Sequence, residues 1–390
     1  MPVVRRLLPA LICSLLIAAA APAASHAADA FSTPPDPLPA GAPGDILRAE
    51  PLQPRALDAR LGGAGRAWRV LYLSTNATGA RIAVTGTVIL PSRRAPRALV
   101  GFAPGSQGLA DGCAPSRQLR EGTLYEGIAL TAILQRGWAV AMTDYEGLGT
   151  PGMHTYMVGR SAGPSVLDAL RAARRLPDAG IGDDLPTAVM GYSQGGNAAG
   201  WAAQLEASYA PELELRGVAA GGVPSDLAAV QREVDGGPYA AVMVLGGLGL
   251  EAAYGVDIDR YHTLRGTREY YEATHDCIIV SLLKNAFRRI ATVTTFNPLG
   301  DPDVRARMEE NRLGTIAPAM PVLLQHGRFD DVVPPGQARA VHDAWCARGA
   351  AVTWRTVALD HAGGYFGTLP RAIRWLGSRL TGVPDTGDCG

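Results

Sequence analysis

The turn Gly191-Tyr192-Ser193-Gln194-Gly195 leaves this chain few architectures to adopt. It sits between the apolar run Thr187–Met190 and a helical pattern of small residues that starts at once and continues to Tyr209. A strand can pass into a helix this sharply only where side-chain clashes are removed, and the glycines at 191 and 195 remove them. The residue at the apex is forced into a backbone region that side chains avoid. Its hydroxyl is thereby held at the carboxyl edge of a sheet, near the positive end of the next helix. As a bare G-x-S-x-G string the pattern is weak; the strand before it and the helix after it make Ser193 a candidate nucleophile.

The rest of the chain alternates in the same way. Strand-like runs are Trp68–Ser74, Arg81–Pro91, Ala98–Ala103, Trp138–Asp144, Thr187–Gly191, Gly217–Ala220, Pro321–His326 and Val352–Leu359. Most are short and apolar without alternation, as expected for strands covered on both faces. Helical patterns over Ser165–Leu176, Asn197–Tyr209 and Gln337–Arg348 lie between them, which predicts an α/β fold around a mainly parallel sheet. Residues 29–55 read as an irregular arm rich in Pro, Ala and Gly. Between Asp226 and Glu310 helical patterns and loops occur without a convincing strand, so residues 226–310 read as a helical cap or lid. That insertion divides a core of residues 28–225 and 311–390.

Arg5 and Arg6 precede an apolar run from Leu7 to Ala21, and small residues follow through Ser25-His26-Ala27. This is the pattern of a secretory signal peptide over residues 1–27, cut after Ala27, and it predicts a secreted, extracellular or periplasmic protein. Past it no run approaches the roughly 20 apolar residues of a bilayer span, so no integral membrane segment is expected in the mature chain. Lys+Arg 36 against Asp+Glu 36 leaves a formal net charge of +0. Nucleic acid is therefore disfavoured as a partner, because phosphate backbones require a basic footprint. Cys113, Cys277, Cys346 and Cys389 are consistent with two disulfides, their connectivity open, and no C-x-x-C spacing suggests a metal clip or redox pair. Gly147-Leu148-Gly149-Thr150-Pro151-Gly152 matches a dinucleotide-binding string. No amphipathic helix opens on it and no acidic residue ends a second strand at the required distance, so neither cofactor nor metal is expected.

A serine becomes a useful nucleophile through a base, and the base through an orienting acid, in the chain order Ser, Asp or Glu, His on such a scaffold. His326, His342 and His361 follow the helical region. His342 falls in mid-helix and reads as a surface residue, and His326 ends a strand and reads as shaping the turn that presents the acid. His361 follows the last strand on a loop leading into the C-terminal helix, the place for a mobile base. Asp330 comes after a turn of suitable length behind the strand Pro321–His326, and its neighbour Asp331 would point elsewhere. The oxyanion of an acyl transfer needs donors: the Gln194 N–H, and Ser106 or Gln107 from the loop Ala103-Pro104-Gly105-Ser106-Gln107-Gly108.

Cys113-Ala114-Pro115-Ser116, Asp144-Tyr145-Glu146-Gly147-Leu148-Gly149, the Ser193 turn, Gly327 to Pro334 and Asp360-His361 together resemble the secretory lipase family. The resemblance spans roughly residues 40–380. It implies an α/β-hydrolase fold with a helical cap inserted before the acid-bearing strand, and hydrolysis of carboxylic esters, often acylglycerols. It also implies Ser193, Asp330 and His361 as the triad, and the disulfides Cys113–Cys277 and Cys346–Cys389. Pro104 departs from the His that many bacterial relatives carry before the glycine of the oxyanion loop. The partners so implied are a small-molecule or lipid ester and a transient contact with a lipid interface. Another serine hydrolase, a peptidase or a polysaccharide deacylase, is the alternative, since one triad serves many substrates.

Overall fold

The structure is a computed structural model that describes residues 29–56, 59–93 and 95–389. The signal peptide expected at residues 1–27 lies outside the described residues. The strands are β1 (Ile46–Pro51), β2 (Arg55–Ala56), β3 (Ala59–Arg60), β4 (Ala64–Thr75), β5 (Arg81–Pro91), β6 (Leu99–Ala103), β7 (Ala139–Thr143), β8 (Thr187–Tyr192), β9 (Val218–Gly221), β10 (Val322–Gly327) and β11 (Val352–Val357). Strands β2 and β3 form a small hairpin, and the other nine make one sheet in the order β1-β4-β5-β7-β6-β8-β9-β10-β11. Pairing is antiparallel from β1 to β7 and parallel from β7 to β11. The serine turn therefore leaves the sheet at β8, in the middle of its parallel half.

The short apolar strands are buried on both faces because helices cover both. Leu99, Ala139, Ala141 and Val189 pack to one side, against helices α3 (Gly159–Arg175), α4 (Gln194–Tyr209) and α11 (Pro335–Cys346). Val100, Phe102, Val140, Met142 and Met190 pack to the other, against α1 (Pro115–Glu121), α2 (Gly127–Gln135) and α12 (His361–Leu380). Each Leu, Val, Phe or Met side chain so removed from water contributes roughly 1.5–3 kcal/mol, and each alanine methyl less.

The expected arm at residues 29–55 needs a correction, because Ile46–Pro51 is the edge strand β1, paired antiparallel to β4. An edge strand buries only part of its surface, so Arg48 and Glu50 are tolerated within it and its apolar signal is weak. The chain before β1 is tied down by a contact of 2.7 Å between Asp29 and the buried Arg69 on β4.

Between β9 and β10 the chain forms helices α5 (Leu227–Val234), α6 (Ala241–Tyr254), α7 (Leu264–Ala273), α8 (Ile278–Asn285), α9 (Ile290–Val293) and α10 (Pro302–Glu310), with no strand among the described residues. They enclose a core of their own, including Val244, Leu248, Ile258 and Val304, and rest on Leu109, Tyr156 and Val333 from the sheet layer. A disulfide Cys113–Cys277 fastens this block to the loop after β6, and a short antiparallel bridge joins Gly108 to Cys277. Gly108 has φ 116°, and a Cβ there would meet the Asp276 carbonyl oxygen at 2.5 Å. Only glycine permits that approach.

A second disulfide, Cys346–Cys389, ties the C-terminal segment to α11. His342, expected at the surface, is buried beside it. Its one-turn spacing to Cys346 puts it on the face of α11 that the C-terminal segment covers, and Asp388 lies 3.2 Å from its Nε2. Among the described residues no helix is long and apolar enough to cross a membrane.

Candidate active site

Ser193 occupies the single residue between β8 and α4, with φ 59° and ψ −121°. A non-glycine residue in that region is strained, and the strain is held by close packing on either side of the turn. A Cβ at Gly195 would lie 2.0 Å from the Ala103 carbonyl oxygen, so the start of α4 can press against the end of β6 only as glycine. The serine is the N-cap of α4 without using its side chain as a cap, which leaves the hydroxyl available.

His361 Nε2 lies 2.9 Å from Ser193 Oγ, and His361 Nδ1 lies 2.8 Å from Asp330 Oδ2. These residues come from the carboxyl ends of β8, β10 and β11, brought together by the parallel half of the sheet. The sequence places His361 on a loop before the last helix; in the structure it is the first residue of α12. Asp360 ends the loop instead, its carboxylate accepting from the Gly363 N–H at 2.6 Å. The Tyr192 hydroxyl donates to the His361 carbonyl at 2.8 Å and so fixes the backbone that carries the imidazole.

The acid is held as firmly as the base. Asp330 Oδ1 accepts from the N–H groups of Val332 and Val333 at 3.1 and 2.7 Å. His326, fully buried, places Nε2 3.1 Å from Asp330 Oδ2 and 2.9 Å from the Val333 carbonyl. Burial by itself would raise the Asp330 carboxyl; hydrogen bonds from His326 and His361 outweigh it and hold the group well below the usual carboxylate range. Asp331 points elsewhere, with Oδ1 accepting from the His361 backbone N–H at 3.3 Å.

Gln194 and the loop after β6, expected from the sequence to supply the oxyanion donors, lie beside Ser193. Gln194 opens α4, so its N–H has no partner within the helix. Its side chain donates to His154 Nε2 at 2.9 Å, while His154 Nδ1 donates to the Glu146 carbonyl at 2.9 Å. Burial drives the His154 pKa down to about 4, so the ring stays neutral and Nε2 can accept. In the loop, the Ser106 hydroxyl meets the Tyr156 hydroxyl at 2.6 Å. The Gln107 side chain turns inward to Glu126, and the Gln107 carbonyl accepts from the Ile278 N–H of the helical block at 2.8 Å. Among the described residues the N–H groups of Ser106 and Gln107 find no acceptor, whereas that of Gly105 is taken by Glu126. Neither His154 nor Glu126 stands out in the sequence, since a lone titratable residue carries no spacing signal.

The two motifs most particular to the family resemblance meet behind this loop. Ser116 donates to Asp144 through both its backbone N–H, at 2.7 Å, and its hydroxyl. The turn carrying Tyr145 and Glu146 is thereby fixed, and the Tyr145 hydroxyl reaches the Pro104 carbonyl at 2.8 Å. A cavity opens from Ser193 into the helical block, lined by Leu227, Val230, Met243, Leu250, Ile290 and Val304 among others. One cluster of metal-ligand types occurs among the described residues, His342 with Cys346 and Cys389, and its two thiols are joined to each other.

A model of the secretory lipase family matches residues 117–388. Among curated sequences, a secreted triacylglycerol lipase of Malassezia globosa is 31% identical over 91% of this chain and 81% of its own length. Lipase 10 of Candida albicans is 30% identical over 93% of this chain and 82% of its own. Among solved structures, Candida antarctica lipase A in its closed state has a TM-score of 0.82 at 21% identity, covering 92% of this chain and 88% of that one. A rice cell wall degrading esterase from Xanthomonas oryzae has a TM-score of 0.71 at 18% identity, covering 86% and 97%. The shared fold is that of the α/β-hydrolases.

Proposed function

This chain belongs to the secretory lipase family, and from that premise we propose that it cleaves acylglycerols through an acyl-enzyme formed on Ser193. It is a secreted carboxylic ester hydrolase. The observation that carries the finer reading is the unbroken chain Ser193 Oγ, His361, Asp330 at 2.9 and 2.8 Å, opening onto an apolar cavity.

Ser193 Oγ attacks the ester carbonyl as His361 Nε2 takes its proton. Asp330 holds the imidazole with Nδ1–H toward itself and stabilises the imidazolium. The N–H of Gln194 and a second donor from Ser106 or Gln107 receive the developing oxyanion. The C–O bond to the alcohol breaks, the alcohol departs with the proton from His361, and water deprotonated by His361 releases the acid. The helical block acts as the cap over residues 226–310, and its cavity takes the acyl chain. A peptide side chain with a flanking polar backbone suits that lining poorly. Phe329, Leu359 and Phe366, exposed beside the acid and the base, suit contact with a lipid surface.

The test compares p-nitrophenyl esters of graded chain length, emulsified triacylglycerol and peptide anilides. Rates that rise with acyl length and extend to the emulsion support the reading. Anilide cleavage at comparable kcat/KM contradicts it.

A further inference from the structure

Beside the catalytic groups lies a carboxyl that the mechanism above does not use. Glu126 begins the turn into α2 and is 1% exposed. Both of its oxygens face the Gly105 N–H, at 3.1 and 3.0 Å, and Oε2 also faces Gln107 Nε2 at 2.9 Å. Among the described residues no cation pairs with it. Next to it, the Tyr125 hydroxyl reaches the Ser106 carbonyl at 3.3 Å. The short loop from Pro104 to Gln107 is thus gripped at all four carbonyls, at the Gly105 N–H, at the Ser106 hydroxyl and at Gln107 Nε2, while the N–H groups of Ser106 and Gln107 find no acceptor among the described residues. A Cβ at Gly105 would lie 3.4 Å from the Tyr192 carbonyl oxygen, so the gripped loop runs directly beside the serine turn.

Building on the reading of Ser193 as nucleophile, we propose that Glu126 is a positioning residue for oxyanion stabilisation: its carboxyl latches Gly105 and Gln107 so that free backbone N–H groups face the reacting carbonyl. Two further observations support this. Gln107 Nε2 also donates to the Gly105 carbonyl at 3.2 Å, so the one amide ties the loop to itself as well as to Glu126. Burial also pushes the Glu126 carboxyl up to about 8, against the hydrogen bonds from Gly105 and Gln107 that pull it down. It is therefore neutral near pH 7 and gains a charge as the medium turns alkaline. A carboxylate behind the donors repels the oxyanion they serve, so turnover falls as pH rises through the Glu126 pKa.

The ionisable groups around Glu126 are Tyr125, Tyr145 and Tyr365, with Tyr156 reached through Ser106. Burial, then the Glu126 charge, holds Tyr125, Tyr145 and Tyr365 well above the usual phenol range, and burial pushes Tyr156 up to about 12. None of these four titrates between pH 7 and 10, so an alkaline limb there belongs to none of them.

The experiment measures kcat and KM from pH 6 to 10 on a soluble short-chain p-nitrophenyl ester, for wild type, Glu126→Gln, Glu126→Ala and Ser193→Ala. Thermal melting is followed in parallel. The proposal expects an alkaline fall in wild-type kcat that Glu126→Gln abolishes while keeping kcat at pH 7 within about 10-fold. It expects Glu126→Ala to lose roughly 10–100-fold in kcat with little change in KM. Should the alanine variant fail to fold, the pH profile of the glutamine variant decides alone. A Glu126→Gln profile with the wild-type alkaline limb, alongside an inactive Ser193→Ala, overturns this proposal and leaves the site reading intact. Hydrolysis by Ser193→Ala at the wild-type rate overturns both.

Discussion

In the sheet layer, β6, β7 and β8 are buried along their whole length and on both faces. In the helical block, Leu264, Tyr271, Leu283, Phe287 and Phe296 stand in solvent, while the inner faces enclose a cavity. The central strands have no slack, each lying between two strand neighbours in the sheet and covered on both faces. The helical block has apolar surface to spare and room inside. The contrast separates two tasks. On the proposed function, the groups that must be held to within a fraction of an ångström hang from the sheet, and the space for a variable substrate belongs to the block.

That separation can be broken by experiment. The largest effect is expected at the sheet edge. Ser193→Ala should lower kcat by about 10³–10⁶ at every acyl length without unfolding the protein, checked by steady-state kinetics and circular dichroism. Asp330→Asn should cost roughly 10²–10⁴ in kcat at pH 7, because the amide no longer enforces the tautomer that leaves His361 Nε2 free to accept. A loss confined to long esters in either variant would mean that chemistry and substrate room are not separable.

Cys277→Ser should weaken the join between the regions. Loss of the Cys113–Cys277 link is expected to lower stability by about 2–5 kcal/mol, read as a fall in Tm, and to reduce kcat through the Gln107 carbonyl that the adjoining Ile278 N–H holds. An unchanged Tm would show that packing alone seats the block.

Acid sensitivity should trace to the sheet side. His154 is buried with its pKa at about 4 against an ordinary 6.5. Below about pH 6.5 the unfolded chain takes up a proton that the folded chain refuses. The stabilisation is complete above that pH and is lost as pH falls toward 4, by a few kcal/mol. Denaturant titrations at pH 7 and pH 4.5 should show the loss, and His154→Gln should shrink it.

The smallest effect is expected inside the block. Gly246 lines the cavity and a Cβ there meets nothing within 4 Å. Gly246→Leu should shift preference toward short acyl chains by about 10-fold in kcat/KM while sparing acetate esters. Equal loss on all chain lengths would place the acyl chain elsewhere.

The same contrast explains what could be read from the sequence. Doubly buried strands such as Leu99–Ala103 and Thr187–Tyr192 are apolar at nearly every position and announce themselves, and the glycines around Ser193 mark a turn with few alternatives. The block was legible as helical by its lack of strand pattern, but its cavity depends on how six helices pack, which no local pattern encodes. β1 escaped because an edge strand needs little apolar surface. His342 was misplaced because the segment covering it, near Asp388 and Cys389, is distant in the chain. Glu126 and His154 gain meaning only from the loops folded over them.

The most direct measurement is peptide mapping by mass spectrometry after acid-quenching the enzyme during turnover of a p-nitrophenyl ester. The account predicts one acyl adduct, on the peptide containing Ser193, that accumulates in wild type and is missing from Ser193→Ala. An acyl group on another residue, or rapid turnover in the serine variant, would contradict it.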